Sequence, residues 1–326
     1  MSYEKEKQTA IEAVIKAASL CSQVRAEMVD LGALEKSDKS PVTVADFGAQ
    51  ALICQHIKAA FPNDPIVGEE DSADLQEPKN ANQLARVKGY VQQVHPQATD
   101  EDVCTWIDAG NGAVADRFWT LDPIDGTKGF LRNDQYAIAL ALIEDGQVQV
   151  AAMACPALPL SLDDPDGAVG SLFIAVRGEG SEMASLADAD FAPIRVKTTS
   201  SNDAGLRFVE SVEAGHGDHD LQEALARAAG ITRDPLRMDS QAKYGAVARG
   251  DAALYLRLPS PKYPGYAEKI WDHAAGSLVV QEAGGRVTDM HGKPLDFFSD
   301  YTMNDNTGVV VSAGPSHAGV IEALAQ

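Results

Sequence analysis

A chain of 326 residues, 45% of them hydrophobic, has the length for one large domain or two medium ones around a sizeable core. Its 27 basic against 48 acidic residues give a net charge of −21, a field that repels long nucleic acids and anionic membrane surfaces. No apolar run approaches the roughly 20 residues of a membrane span, the opening MSYEKEKQTA lacks an apolar signal core, and Cys21, Cys54, Cys104 and Cys155 form no CxxC pair, which argues against a structural zinc site and fits a reducing compartment.

In chain order, TAIEAVIKAASLCSQVRAEMV carries apolar residues at 11, 14, 15, 18 and 21, the spacing of an amphipathic helix. A second helix is expected to follow Asp46 through FGAQALICQHIKAAF and to stop before Pro62. PIVGEE reads as a short buried strand ending in acid, and NQLARVKGYVQQV as an exposed helix. AIALALIEDGQVQVAAMACPAL reads as two strands joined at Asp145-Gly146, and SLFIAVRGEGSEMASL as a hairpin turning at Gly178-Glu179-Gly180. Beyond about residue 197 strands alternate with helices: RFVESV, DHDLQEALARAAG, AALYLRL, DHAAGSLVVQEAGG, GVVVSAG and SHAGVIEALAQ. The expected organisation is therefore residues 1–197 as an α+β domain with an antiparallel sheet and residues 198–326 as an α/β domain.

Four acidic signatures fall at element boundaries: Asp46 in KSPVTVADFGAQ, Glu69 and Glu70 in VGEEDS, Asp122 and Asp125 in LDPIDGT, and Asp272 in IWDHAAG. Singly, each has an ordinary reading. Asp46 and Asp272 suit helix N-caps, GEED suits a solvated turn, and DPIDGT suits an Asx turn. Convergence has a chemical motive instead. Several carboxylates with no cysteine or paired histidine nearby suit Mg²⁺, and Gly126 and Thr127, opening a helix, would present N–H groups to a phosphate. DGT also ends the phosphoaspartate motif of the haloacid-dehalogenase phosphatases, but the nucleophile's position is here Pro123, so that reading fails.

GEE, DPIDGT and WDHAAG resemble the three signatures of the lithium-sensitive, Mg²⁺-dependent phosphomonoesterases, the inositol monophosphatase superfamily. SPVTVADFGAQALI, DPIDGTKGFLR, VESVEAGHGDHD, DSQAKYGAVARGDAALYLRLP and EKIWDHAAG are similar to its 3′(2′),5′-bisphosphate nucleotidase branch. The resemblance implies a layered αβαβα fold combining α+β and α/β textures. It also implies removal of the 3′-phosphate of 3′-phosphoadenosine 5′-phosphate (PAP) to give AMP, with action on the 5′-phosphosulfate relative (PAPS). Two or three Mg²⁺ ions are implied: Glu69, Asp122 and the Ile124 carbonyl for the first, Asp122, Asp125 and Asp272 for the second, and Glu69 helping to place a third. By the same resemblance, Asp46 and Thr127 form the pair that orients and deprotonates the attacking water. Gly126 and Thr127 bind the scissile phosphate, and Ser240, Lys243 and Arg257 contact the nucleotide, with one of His216 and His219. Lys243 and Arg257 also have an ordinary reading as surface cations. The alternatives are an inositol phosphate 1-phosphatase and a non-enzymatic cation-binding regulatory module. Expected partners are small molecules, with no polymeric nucleic acid and no membrane, for a monomer in the cytoplasm.

Overall fold

In the computed structural model, which describes residues 2–30, 40–164, 166–188, 191–199, 206–212, 219–260, 265–314 and 316–325, the strands sort into two sheets. The first runs in chain order: β1 (Ile66–Gly68), β2 (Arg117–Asp125), β3 (Ala137–Glu144), β4 (Gln147–Pro159), β5 (Val169–Val176), β6 (Gly180–Ser185) and β7 (Ile194–Arg195). Only β1 and β2 pair in parallel; every later pair in this sheet is antiparallel.

Strand β3 shows how the sequence assigns its faces. Side chains alternate along a strand, so Ile138, Leu140 and Leu142 share one face and Ala137, Ala139 and Ala141 the other. The large residues pack with α1 (Glu4–Asp30) and α2 (Ser40–Ala60) in one core. The alanines join a second core with α7 (Ala242–Ala248) and α8 (Ala274–Glu282), whose own first turn, Ala274-Ala275-Gly276, is equally small. Small residues on both partners let helix and sheet backbones approach closely.

The second sheet has the order β11 (Arg286–Thr288), β12 (Val309–Ser312), β10 (Leu254–Arg257), β8 (Phe208–Glu210), β9 (Leu236–Arg237), and it is mixed. In β10, Tyr255 faces α7 and α8, while Leu254 and Leu256 face α6 (His219–Ala228) and α9 (His317–Leu324). Helices, sheet, helices, sheet and helices thus stack as αβαβα, and apolar residues of both halves of the chain fill the central core.

Three local expectations change. α2 begins at Ser40, so Asp46 lies inside the helix rather than at its start. The ordinary reading of DPIDGT as an Asx turn is set aside as well, because β2 runs on through Asp125 before α5 (Thr127–Leu131). Asp272 closes a 3-10 turn, Ile270–Asp272, and the residue preceding α8 is His273, which makes no side-chain cap. Beyond the expected elements, α3 (Ala81–Val91) is followed by α4 (Asp100–Asp108), which opens on a Thr99–Asp102 capping box. The unexpected α7 is wholly buried and has no polar face for a period to reveal.

Candidate active site

Glu69 follows β1 directly, and the backbone beside it is clamped by Gln50 of α2. Gln50 Oε1 accepts from the Glu70 N–H at 3.1 Å, while its Nε2 donates to the carbonyls of Glu70 and, at 3.0 Å, Ile107. This fully buried amide pairs with the chain as a neighbouring strand would, extending the order of a three-residue strand to the acid beyond it.

Asp122 and Asp125 owe their proximity to a bulge. Residues three apart in a regular strand face opposite ways. Here Asp122 lies opposite Ala139 and Asp125 opposite Ala137, so three steps along β2 match two along β3 and both carboxylates turn to the same side. Pro123, which has no N–H to offer a ladder, sits inside the irregularity. Gly126, at φ +87°, then swings the chain into α5; a Cβ there would lie 2.8 Å from that of Ser240, so angle and space both require glycine.

The DSQAKY segment ties these acids to the third. Ser240 adopts φ +66°, uncommon for a residue with a side chain. The following Gln241 N–H donates to Asp125 Oδ2 at 2.6 Å. The buried Gln241 side chain donates to the Trp271 carbonyl at 2.9 Å and accepts from the Gly276 N–H at 3.1 Å, holding both ends of the turn that carries Asp272.

Oxygens of Asp122, Asp125 and Asp272 consequently lie within 4.8 Å of one another. Burial, then Glu69, Asp125 and Asp272, raises the Asp122 carboxyl well above the usual carboxylate range. Burial with Glu70 beside it pushes Glu69 up to about 7, and burial with Asp125 beside it pushes Asp272 up to about 7. Asp122 Oδ1 is buried without a hydrogen-bond partner among the described residues. A divalent cation answers both features, since it replaces protons on crowded carboxylates and satisfies the orphaned oxygen. The all-oxygen donor set fits a hard ion such as Mg²⁺.

These acids line a cavity of about 410 Å³, together with Glu69, Ile124, Gly126 and an exposed Thr127. Ser240, Lys243 and Arg257 line the same cavity. Lys243 is only 4% exposed, and burial lowers its ammonium to about 8, which sets aside the surface-cation reading. It lies 5.2 Å from the Tyr255 ring centroid. Asp46 is buried behind the wall, its carboxyl raised by burial and by Glu70 and Glu69. His216 lies outside the described residues, as does the side chain of His219. Lys128, Asp239, Tyr244, Tyr255 and the trio Tyr266, Lys269 and Trp271 also line the cavity without having been singled out. All of these but Tyr266 sat within a noted segment, and the loop around Tyr266 offers no periodicity that would mark it.

A family model for the inositol monophosphatase family matches residues 2–326. The chain is 47% identical to the 3′(2′),5′-bisphosphate nucleotidase of Schizosaccharomyces pombe, over 100% of this chain and 96% of that protein. It is 43% identical to 3′(2′),5′-bisphosphate nucleotidase 1 of Arabidopsis thaliana, over 87% and 85% respectively. Among solved structures it is similar to the inositol monophosphatase from Anabaena (Nostoc) sp. PCC 7120, with TM-score 0.61 at 19% identity over 100% and 97% of the two chains. It is also similar to CysQ from Bacteroides thetaiotaomicron, with TM-score 0.58 at 19% identity over 94% and 96%. At these identities the solved structures speak to the fold.

Proposed function

The chain belongs to the inositol monophosphatase family, and from that premise we propose that it is a Mg²⁺-dependent 3′(2′),5′-bisphosphate nucleotidase, converting PAP and water to AMP and phosphate and also accepting PAPS. The observation that carries this reading is a single cavity lined both by three converging carboxylates with an orphaned oxygen and by the cations Lys243 and Arg257. The carboxylates suit a phosphate undergoing hydrolysis, and the cations a second anionic group that is retained.

In this reading Glu69, Asp122, the Ile124 carbonyl, Asp125 and Asp272 hold two Mg²⁺ ions, with Glu69 contributing to a third. Bound Mg²⁺ supplies Lewis acidity toward water and the phosphate oxygens. Gly126 and Thr127 offer backbone N–H groups to the scissile phosphate. The Thr127 hydroxyl, on a residue that lines the cavity, would orient the attacking water, and Asp46, buried behind the wall and made more basic by burial, would draw the water's proton through that hydroxyl. Ser240, Lys243 and Arg257 hold the nucleotide. A cytoplasmic monomer belongs to the same reading; the four cysteines, all buried and free, support a reducing setting.

Phosphate release from PAP, PAPS, inositol 1-phosphate and inositol 1,4-bisphosphate, each with Mg²⁺ and with chelator, tests the proposal. PAP is expected to give the highest kcat/KM, and chelation to abolish turnover. Preference for either inositol phosphate, or no Mg²⁺-dependent release from any of the four, overturns it.

A further inference from the structure

Behind the cation-bearing wall stands an acid that does not touch the cavity. Glu268 is absent from the lining, and only 14% of its side chain is exposed. Its Oε2 receives the Arg257 Nε–H at 2.8 Å and lies 3.2 Å from His273 Nε2. On its other side the His273 ring meets the Tyr244 hydroxyl through Nδ1 at 2.7 Å. Tyr244 O–H donating to His273 Nδ1, with Nε2–H donating to Glu268, satisfies the whole chain. His273 and Tyr244 are fully buried, so the chain is braced against the central core.

Glu268 also lies near Asp272 and His273 in a group with cation-ligand spacing. The Arg257 guanidinium already neutralises it, and the oxygen facing both Arg257 and His273 is saturated by their N–H groups. A clamp fits that environment and a metal ligand does not. Glu268 takes the Nε–H, so that bond leaves the terminal nitrogens of Arg257, a residue lining the cavity, unengaged by Glu268.

We propose that Glu268 is a positioning residue that fixes Arg257 against the second, uncleaved anionic group of the substrate and thereby sets the preference for two phosphates over one. The proposal rests on the reading of Arg257 given above. A guanidinium ordered before binding spares the ligand the cost of immobilising it, an effect worth about 10-fold in affinity. Contact with a group remote from the reacting phosphorus persists from ground to transition state, so its loss falls on KM rather than kcat.

The test compares PAP with 3′-AMP, which lacks the 5′-phosphate, in the full-length enzyme carrying Glu268→Gln, Glu268→Asp or Arg257→Ala, and in the Arg257→Ala/Glu268→Gln double variant. Glu268→Gln is expected to shrink the PAP over 3′-AMP preference about 10-fold, through KM for PAP. Glu268→Asp, which keeps the charge, should recover part of the preference, and Glu268→Gln should change it no further in the Arg257→Ala background. A loss that falls equally on both substrates, or mainly on kcat, overturns the proposal. If Arg257→Ala alters the preference and neither Glu268 variant does, only the role of Glu268 is lost. If Arg257→Ala itself leaves the preference intact, the reading of Arg257 fails. Should Glu268→Gln not fold, Glu268→Asp decides on the same ratio, intermediate preference supporting the clamp and wild-type preference refuting it.

Discussion

Asp125 has one oxygen committed to the Gln241 N–H at 2.6 Å and shares a cluster with Asp122 and Asp272. In Asp125→Asn, one of two contacts must fail. If the amide oxygen keeps the Gln241 N–H, the NH₂ group faces the proposed ions; if it turns to them, the NH₂ group confronts Gln241. Either way a unit of ligand charge is gone, and phosphoryl transfer here depends on charge stabilisation. Turnover of PAP at saturating Mg²⁺ should fall about 10³-fold, read as phosphate release; near-normal turnover would remove Asp125 from the ligand set. The acids were legible because their types and local settings are unusual together. What hid was their orientation: no propensity indicates that a bulge turns Asp122 and Asp125 to one side, or that Asp46 sits within a helix rather than capping it. Glu268 and Tyr266 were illegible for a different reason, since the pairing of Glu268 with Arg257 and the place of Tyr266 at the cavity arise only through the fold.

Elements as units carry their own chemistry, and the junction of β11, β12 and α9 shows it. His317 is buried between Thr288 and Ser312, at 2.9 Å from Nε2 and 2.8 Å from Nδ1. The Thr288 hydroxyl already donates to the Asp289 carbonyl, so it must accept from Nε2–H, leaving Nδ1 to accept from Ser312. In that neutral tautomer Nδ1 is an acceptor, and burial, helped by Arg286, lowers the ring to about 4. An unfolded chain protonates His317 near 6.5. Between about 6.5 and 4 the unfolded state therefore holds the extra proton, and stability falls as pH falls. Thermal melts from pH 7 to pH 5 should show wild type losing on the order of 1–2 kcal/mol more than His317→Gln, a glutamine having nothing to titrate. Equal slopes would count against a neutral clasp. Periodicity revealed α9 and β12 because each has one strongly apolar face or run, whereas the wholly buried α7 gave no contrast to read.

At the scale of the whole molecule, the αβαβα stack brings together acids from distant parts of the chain and holds them where mutual repulsion is greatest. Asp122 is enclosed beside Glu69, Asp125 and Asp272 in a protein of net charge −21. The arrangement costs stability when no cation is bound, and ion binding to the folded state alone returns it, by about 2.7 kcal/mol at 100 times Kd. Wild type should thus melt a few degrees higher in saturating Mg²⁺ than in chelator. Asp122→Asn keeps the shape and removes one enclosed charge. In chelator it should melt above wild type, while losing most of the Mg²⁺-dependent gain and nearly all turnover. Stability and function then move in opposite directions from one isosteric change, as expected where a site is built at the expense of the fold. Were Asp122→Asn to melt below wild type in chelator and still gain the full Mg²⁺ increment, Asp122 would be a structural carboxylate and the ion would have to be held elsewhere.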